Sequence, residues 1–436
     1  MRVETVEIKK IGINGEGIGY IDRKIVFVKG ALVGEEVEIS ITKSNRNYYE
    51  GEIRHIKNTS SDRVKPYCSK EKECQGCSLL HMKYTSQLKY KKEAIRESIR
   101  KYTSYDLKNT VFKDVMACKP LEGFISTINV PIVSMKERIT FGIYQRESKH
   151  LTVLTNCFKQ DQRINVCLKR LEDILTKHQC KTYNDKTKLG LRFLKVKLID
   201  NDIQLVFITG KDGLSEKVIE DIKTISDVKG LFVSTNTSRY QDFEEVGYTK
   251  VFGNTRLDFQ HHGKKYLVSV KSKLADNFPM YLKRNEEITK MAYDSEKILS
   301  LHCGIGLLEL NMDKEIVAID EKNYHIEDAK LNQKWAKKEN INFVRGDIDD
   351  KVTLYAKKKE YDTFVVQNGR FGMSDAVKDS IRLSKVNTVI YVCESHSTLA
   401  KDIAELEKYY RLEKIVALDS AAYTPYVTTI VRLKRK

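Results

Sequence analysis

The sequence predicts a multidomain chain in three parts: a small amino-terminal β-barrel, an α+β middle, and a carboxy-terminal α/β domain with a doubly wound, Rossmann-like sheet. Three observations carry this reading. β-Branched runs separated by glycines fill the first 58 residues, and strand-like runs in the middle alternate with an amphipathic helix pattern. From about residue 287 onward, helix and strand patterns alternate around a Gly-x-Gly turn. The length agrees, since 436 residues exceed the roughly 100 to 200 that one core serves. With 41% hydrophobic and 31% charged residues, and only 22 Gly and 5 Pro, the composition excludes a mainly disordered or collagenous chain.

The barrel is read from strands over 3–8, 24–28, 36–41 and 49–56, with turns at Gly12, Gly15, Gly17, Gly19 and between Gly30 and Gly34, giving four or five strands. The phrases GINGEGIGY (12–20) and VFVKGALVGE (26–35) resemble the TRAM domain, an oligonucleotide-binding (OB-like) barrel attached to RNA-modifying enzymes. Residues 1–58 are therefore expected to bind RNA.

Charge points the same way. Seventy-seven Lys and Arg against 60 Asp and Glu leave a net +17, a field that attracts a polyanion and releases its counterions on contact. Structured RNA, rRNA or tRNA, is the expected partner. Apolar runs such as 203–208 and 363–366 are far shorter than the roughly 20 residues of a bilayer span, so no membrane is expected. The first ten residues, MRVETVEIKK, lack the apolar stretch of a signal peptide, which predicts a cytoplasmic protein.

In a reducing compartment the triplet Cys68, Cys74, Cys77 in YCSKEKECQGC reads as a soft-metal site rather than as disulfides. A fourth ligand is needed, and spacing does not choose between tetrahedral zinc and an iron-sulfur cubane. From Cys68 to Asn165 the chain resembles the bacterial RNA 5-methyluridine (uracil-C5) methyltransferases, in which a CxxxxxCxxC triplet and a distant fourth cysteine hold a 4Fe-4S cluster. The resemblance implies Cys68, Cys74, Cys77 and Cys157 as ligands. It also matches the helical lead-in of residues 81–110, expected to pack on the carboxy-terminal domain, and YQRESKH (144–150), which resembles the loop before the fourth cysteine. The middle domain, 59–260, is expected to carry strands over 191–198, 203–209 and 229–235 and a helix over 214–225.

In 261–436 the run ILSLHCGIGLLEL places Cys303, Gly304 and Gly306 after a strand, where glycines let the backbone approach a ligand. The next strand ends in Asp320, suited to ribose hydroxyls, and a third ends near Asp347, suited to an adenine amino group. Strand, Gly-x-Gly, acid, acid is the order of an S-adenosylmethionine site, although a dinucleotide-binding domain shares much of it.

The resemblance extends over essentially the whole chain, so departures from it are informative. Ser300 stands where the family has an acid. Ala275, in the phrase 273–277, replaces the glutamine of FFQVN. Gln367 replaces the aspartate of DPPR, of which Arg370 is kept. Family chemistry adds a thiolate to uracil C6, lets the enolate take a methyl group, then uses a base to remove the C5 proton. Here the nucleophile position holds Glu394 and the base position Thr428. Cys393 is the alternative nucleophile, and Glu394 with His396 reads as a solvated, non-catalytic pair. The sequence thus predicts an RNA binder of this family, with S-adenosylmethionine and a 4Fe-4S cluster as cofactors, whose chemistry is lost; the alternative is an active enzyme reorganised around Cys393.

Overall fold

The computed structural model describes residues 2–74, 76–144, 151–154, 156–238 and 247–436. Residues 145–150 of the phrase expected to precede the fourth cysteine lie outside them. Two compact units form: residues 1–118 with 368–373 and 389–436, and residues 119–367 with 374–388.

The first unit begins with a six-stranded sheet in the order Val3–Glu7, Glu36–Ser44, Tyr48–Asn58, Lys24–Val28, Gly17–Ile21, Lys10–Ile11. The two outer strands are consecutive in the chain, so both edges belong to one bent stretch and the sheet curls on itself around Val6, Ile8, Val26, Val28, Val37 and Ile39. Gly17 and Gly19 were expected in turns and instead lie in a strand. A Cβ at Gly19 would stand 2.2 Å from Val6 Cγ1, and one at Gly17 2.8 Å from the Ala31 carbonyl oxygen. These glycines permit close strand packing rather than reversal.

The 19-residue helix Tyr84–Tyr102 buries Gln87, Lys91, Ile95, Ser98 and Ile99, one stripe at helical spacing, and lies against the helix His396–Ala404. Lys91 Nζ donates to Asp419 Oδ1 at 2.5 Å with both side chains fully buried, and Tyr84 Oη donates to the other oxygen at 2.8 Å. The strands Thr388–Cys393, Thr428–Arg435, Tyr410–Leu418 and Val111–Phe112 follow one another in that order.

The second unit holds a seven-stranded sheet in the order Leu151–Val153, Arg138–Tyr144, Thr127–Met135, Leu191–Ile199, Asp202–Thr209, Val228–Thr235, Thr249–Gly253. Only Asp202–Thr209 and Val228–Thr235 pair in parallel. The helix Gln162–Lys177, capped by Asp161, buries Ile164, Cys167, Leu168, Leu171 and Leu175 on it. Four parallel strands, Ile341–Arg345, Glu315–Asp320, Lys297–Leu301 and Thr363–Gln367, pair side by side in that order. Their nearly continuous apolar runs suit a sheet covered on both faces.

Candidate functional site

Two stretches carry the candidate chemistry, one in each unit. In the second unit the strand Lys297–Leu301 runs out through left-handed backbone at His302 (φ 60°), Gly304 (φ 55°) and Gly306 (φ 76°). A Cβ on Gly306 would stand 2.5 Å from Phe343 Cζ, so packing demands glycine there; one on Gly304 would meet no atom within 4 Å. Gly304 therefore borders open space that a ligand can approach closely. Cys303 is buried, and burial pushes its thiol well above the ordinary range.

Asp320 ends the strand Glu315–Asp320 and closes this turn. It accepts from the Gly304 amide at 3.0 Å and the Lys322 amide at 2.9 Å, and pairs with His325 Nδ1 at 2.9 Å. Burial opposes its charge, but the His325 contact and the two amides together hold its carboxyl below the usual range. Asp347 is exposed and caps the helix Ile348–Ala356, accepting from the Asp350 amide at 3.0 Å.

Sequence reasoning passed over Glu309, which begins the single 3-10 turn Glu309–Asn311 that follows the glycine turn. Its side chain is fully buried. Oε1 accepts from Ser300 Oγ at 2.6 Å and, more weakly, from Gln367 Nε2 at 3.4 Å, while Gln367 Oε1 accepts from Arg284 Nη2 at 2.7 Å. Oε2 has no partner among the described residues. Burial pushes the carboxyl up to about 7. The available signal was a lone acid in the apolar run 307–310.

Ala275 is exposed in the segment 270–276, which borders a cleft of about 740 Å³ against the seven-stranded sheet. Lys195, Lys197, Lys271 and Lys273 line it. Lys197 is buried and donates to the carbonyls of Ser269, Val270 and Ser272 at 2.7 to 3.1 Å. It thus anchors this border to the sheet.

In the first unit, Cys393 ends the strand Thr388–Cys393 fully buried, its thiol 3.4 Å from the Ser395 carbonyl oxygen. Burial raises its pKa above the ordinary thiol value. The next residue points outward: Glu394 is exposed, its carboxylate 3.7 Å from Arg370 Nε, and the Arg370 guanidinium sits 4.0 Å above the Tyr426 ring. The expected pairing of Glu394 with His396 does not form. His396 is half-buried beneath the helix Tyr84–Tyr102, with Nδ1 2.7 Å from Ser98 Oγ, and burial lowers its pKa. Thr428 is buried, its hydroxyl 2.6 Å from that of Ser420.

All nine cysteines are thiols. Cys68, Cys74 and Cys77 are half-buried around the short helix Glu71–Cys74 of the first unit. Cys157, in the second, is clamped by Asn165, whose side chain accepts from its amide at 3.2 Å and donates to its carbonyl at 3.1 Å. Among the described residues, no group of three or more His, Cys, Asp or Glu side chains is disposed to hold a metal ion. No described helix is long and apolar enough to cross a membrane.

The TRAM domain family model matches residues 2–53. The chain is 25% identical over 448 residues to an uncharacterised RNA methyltransferase of Streptococcus pneumoniae, covering 99% of this chain and 98% of that one. It is 28% identical over 453 residues to another from Bacillus cereus, with coverage of 99% and 96%. Among solved structures it is similar to the Pyrococcus abyssi tRNA (uracil-54, C5)-methyltransferase in complex with S-adenosyl-L-homocysteine, with a TM-score of 0.78 and 18% identity over 99% of this chain and 100% of that one. That likeness is one of fold.

Proposed function

We propose that this chain, which belongs to the RNA 5-methyluridine methyltransferase family with a TRAM domain, is an RNA-binding protein that keeps an S-adenosylmethionine site and has lost uracil-C5 chemistry. The loop at Glu394 carries this reading. A carboxylate is a feeble conjugate nucleophile, and this one faces the Arg370 guanidinium. Cys393 is enclosed and its thiol is disfavoured from ionising, which opposes a reorganised enzyme built on it. Thr428, hydrogen-bonded to Ser420, is no base at neutral pH, and losing general-base catalysis alone costs about 10² to 10⁴-fold.

Binding functions are better supported. The open space at Gly304 and the orphaned Glu309 oxygen fit a ligand at the glycine turn. Cys303, Gly304 and Gly306 would give it a close backbone approach, Asp320 would face ribose hydroxyls, and Asp347 an adenine amino group. When bound, S-adenosylmethionine supplies an electrophilic methyl group, for which this chain offers no activated uracil. The TRAM barrel and the net +17 support structured rRNA or tRNA as the partner, met in the cytoplasm. A domain division at 1–58, 59–260 and 261–436 accompanies this reading.

The proposed 4Fe-4S cluster rests on donor chemistry alone, since Cys68, Cys74, Cys77 and Cys157 are half-buried thiols, the ligand type that iron-sulfur clusters require, while the described residues form no metal-holding group. Anaerobically purified protein is expected to contain about four irons per chain with matching sulfide; colourless protein with one zinc contradicts it. For the functional reading, the 5-methyluridine content of total RNA, measured by mass spectrometry with and without the gene, is expected to be unchanged. Loss of one 5-methyluridine on deletion, restored by the gene, refutes it.

A further inference from the structure

Just after the glycine turn stands one fully buried acid, Glu309. Ser300 stands where the resemblance implies a carboxylate, and its hydroxyl donates to Glu309 Oε1 at 2.6 Å. A carboxyl group and a hydroxyl thus meet at the end of this strand, the carboxyl on Glu309. Gln367, where the resemblance implies another acid, contacts the same oxygen and is held by Arg284.

The other Glu309 oxygen is buried and unpartnered among the described residues. A carboxylate oxygen in that state lacks the donor that would offset its desolvation, and a cationic donor offsets it most. Burial pushes this carboxyl up to about 7, and a cation placed beside it would favour the ionised form. Nearby, a Cβ at Gly304 would meet no atom within 4 Å, so its backbone is open to close approach.

We propose that Glu309 replaces the acid missing at Ser300 and is the acceptor for the α-ammonium group of a bound S-adenosylmethionine or S-adenosylhomocysteine. The assignment rests on the cofactor-site reading above and sharpens it, because it makes the amino-acid end of the ligand the part recognised in a way particular to this chain. Two of the apparent losses, at Ser300 and Gln367, then become parts of a rebuilt polar site.

The test is calorimetric and uses the full chain. S-Adenosylhomocysteine and 5′-methylthioadenosine share the adenosine and the thioether, but only the first carries the amino-acid end. Glu309→Gln is expected to weaken S-adenosylhomocysteine by about tenfold or more, the worth of a charge-assisted hydrogen bond, while 5′-methylthioadenosine stays within about twofold. The exchanged pair Ser300→Asp with Glu309→Ser should recover most of the loss, and thermal melting of each variant reports its fold. Unchanged S-adenosylhomocysteine binding in Glu309→Gln overturns the assignment and leaves the cofactor site standing. Equal weakening of both ligands overturns it too, by making Glu309 a support of the turn. Natural protein that binds neither ligand removes the cofactor site and this assignment together.

Discussion

The glycine turn at residues 302–306 and the loop at 393–396 depart from one family pattern in opposite ways. At the turn the residue types have changed and the residues present are joined by polar contacts: Ser300 bonds Glu309, Gln367 bonds both Glu309 and Arg284, and Asp320 closes on Gly304. At the loop the order is intact, and on the proposed reading the reactive groups are gone. Ser395 still caps the helix His396–Ala404, and the buried Asp402 accepts from Tyr391 Oη at 2.5 Å and from the Met373 amide at 3.0 Å. Yet the only thiol there is enclosed and the exposed position carries a carboxylate. A site kept for binding tolerates exchanges that preserve donor and acceptor counts, whereas a site for covalent chemistry does not tolerate losing its nucleophile.

The contrast is broken most forcefully through stability. If the first unit is maintained as a scaffold, its buried Lys91–Asp419 pair should be costly to split. Lys91→Ala leaves Asp419 and is expected to lose about 3 to 5 kcal/mol in urea unfolding, whereas Lys91→Met with Asp419→Leu should lose far less. Equal losses would mean that cavity and packing, not the unpaired charge, dominate.

A smaller effect sharpens the other side. The Glu309 carboxyl is pushed up to about 7 in the folded chain, above its ordinary value, so the folded state holds this proton more tightly than the unfolded state. Its stabilising contribution is complete below the ordinary glutamate range and disappears as pH rises through about 7, a change of roughly 3 kcal/mol. Glu309→Gln should flatten that part of the pH dependence and be more stable than the natural chain at pH 8. Parallel stability curves from pH 5 to 8 for the two proteins would show that Glu309 does not titrate there.

What was legible in the sequence follows from how local each signal is. The four parallel strands are legible as short apolar runs and the helix Gln162–Lys177 by its periodicity, although the sequence reading names only the strands. Gly17 and Gly19 mislead because a glycine that admits a neighbouring strand looks, in sequence, like one that makes a turn; only the 2.2 Å approach to Val6 tells them apart. His396 was assigned to its neighbour Glu394 and instead meets Ser98, nearly three hundred residues away, and Lys91 finds Asp419 at still greater separation. Such pairings have no local signature. Glu309 stayed hidden because an isolated acid in an apolar run belongs to no motif, and its meaning comes from Ser300 and Gln367, which approach it only in the fold.

The central claim, that the scaffold remains and the nucleophile does not, is tested most directly with RNA carrying 5-fluorouridine, in which fluorine blocks release of the enzyme thiol. Mixed with this RNA and S-adenosylmethionine and resolved under denaturing conditions, the natural protein is expected to form no covalent complex, and Glu394→Cys to form one. A complex with the natural protein that disappears in Cys393→Ala would contradict the account and make Cys393 the working nucleophile.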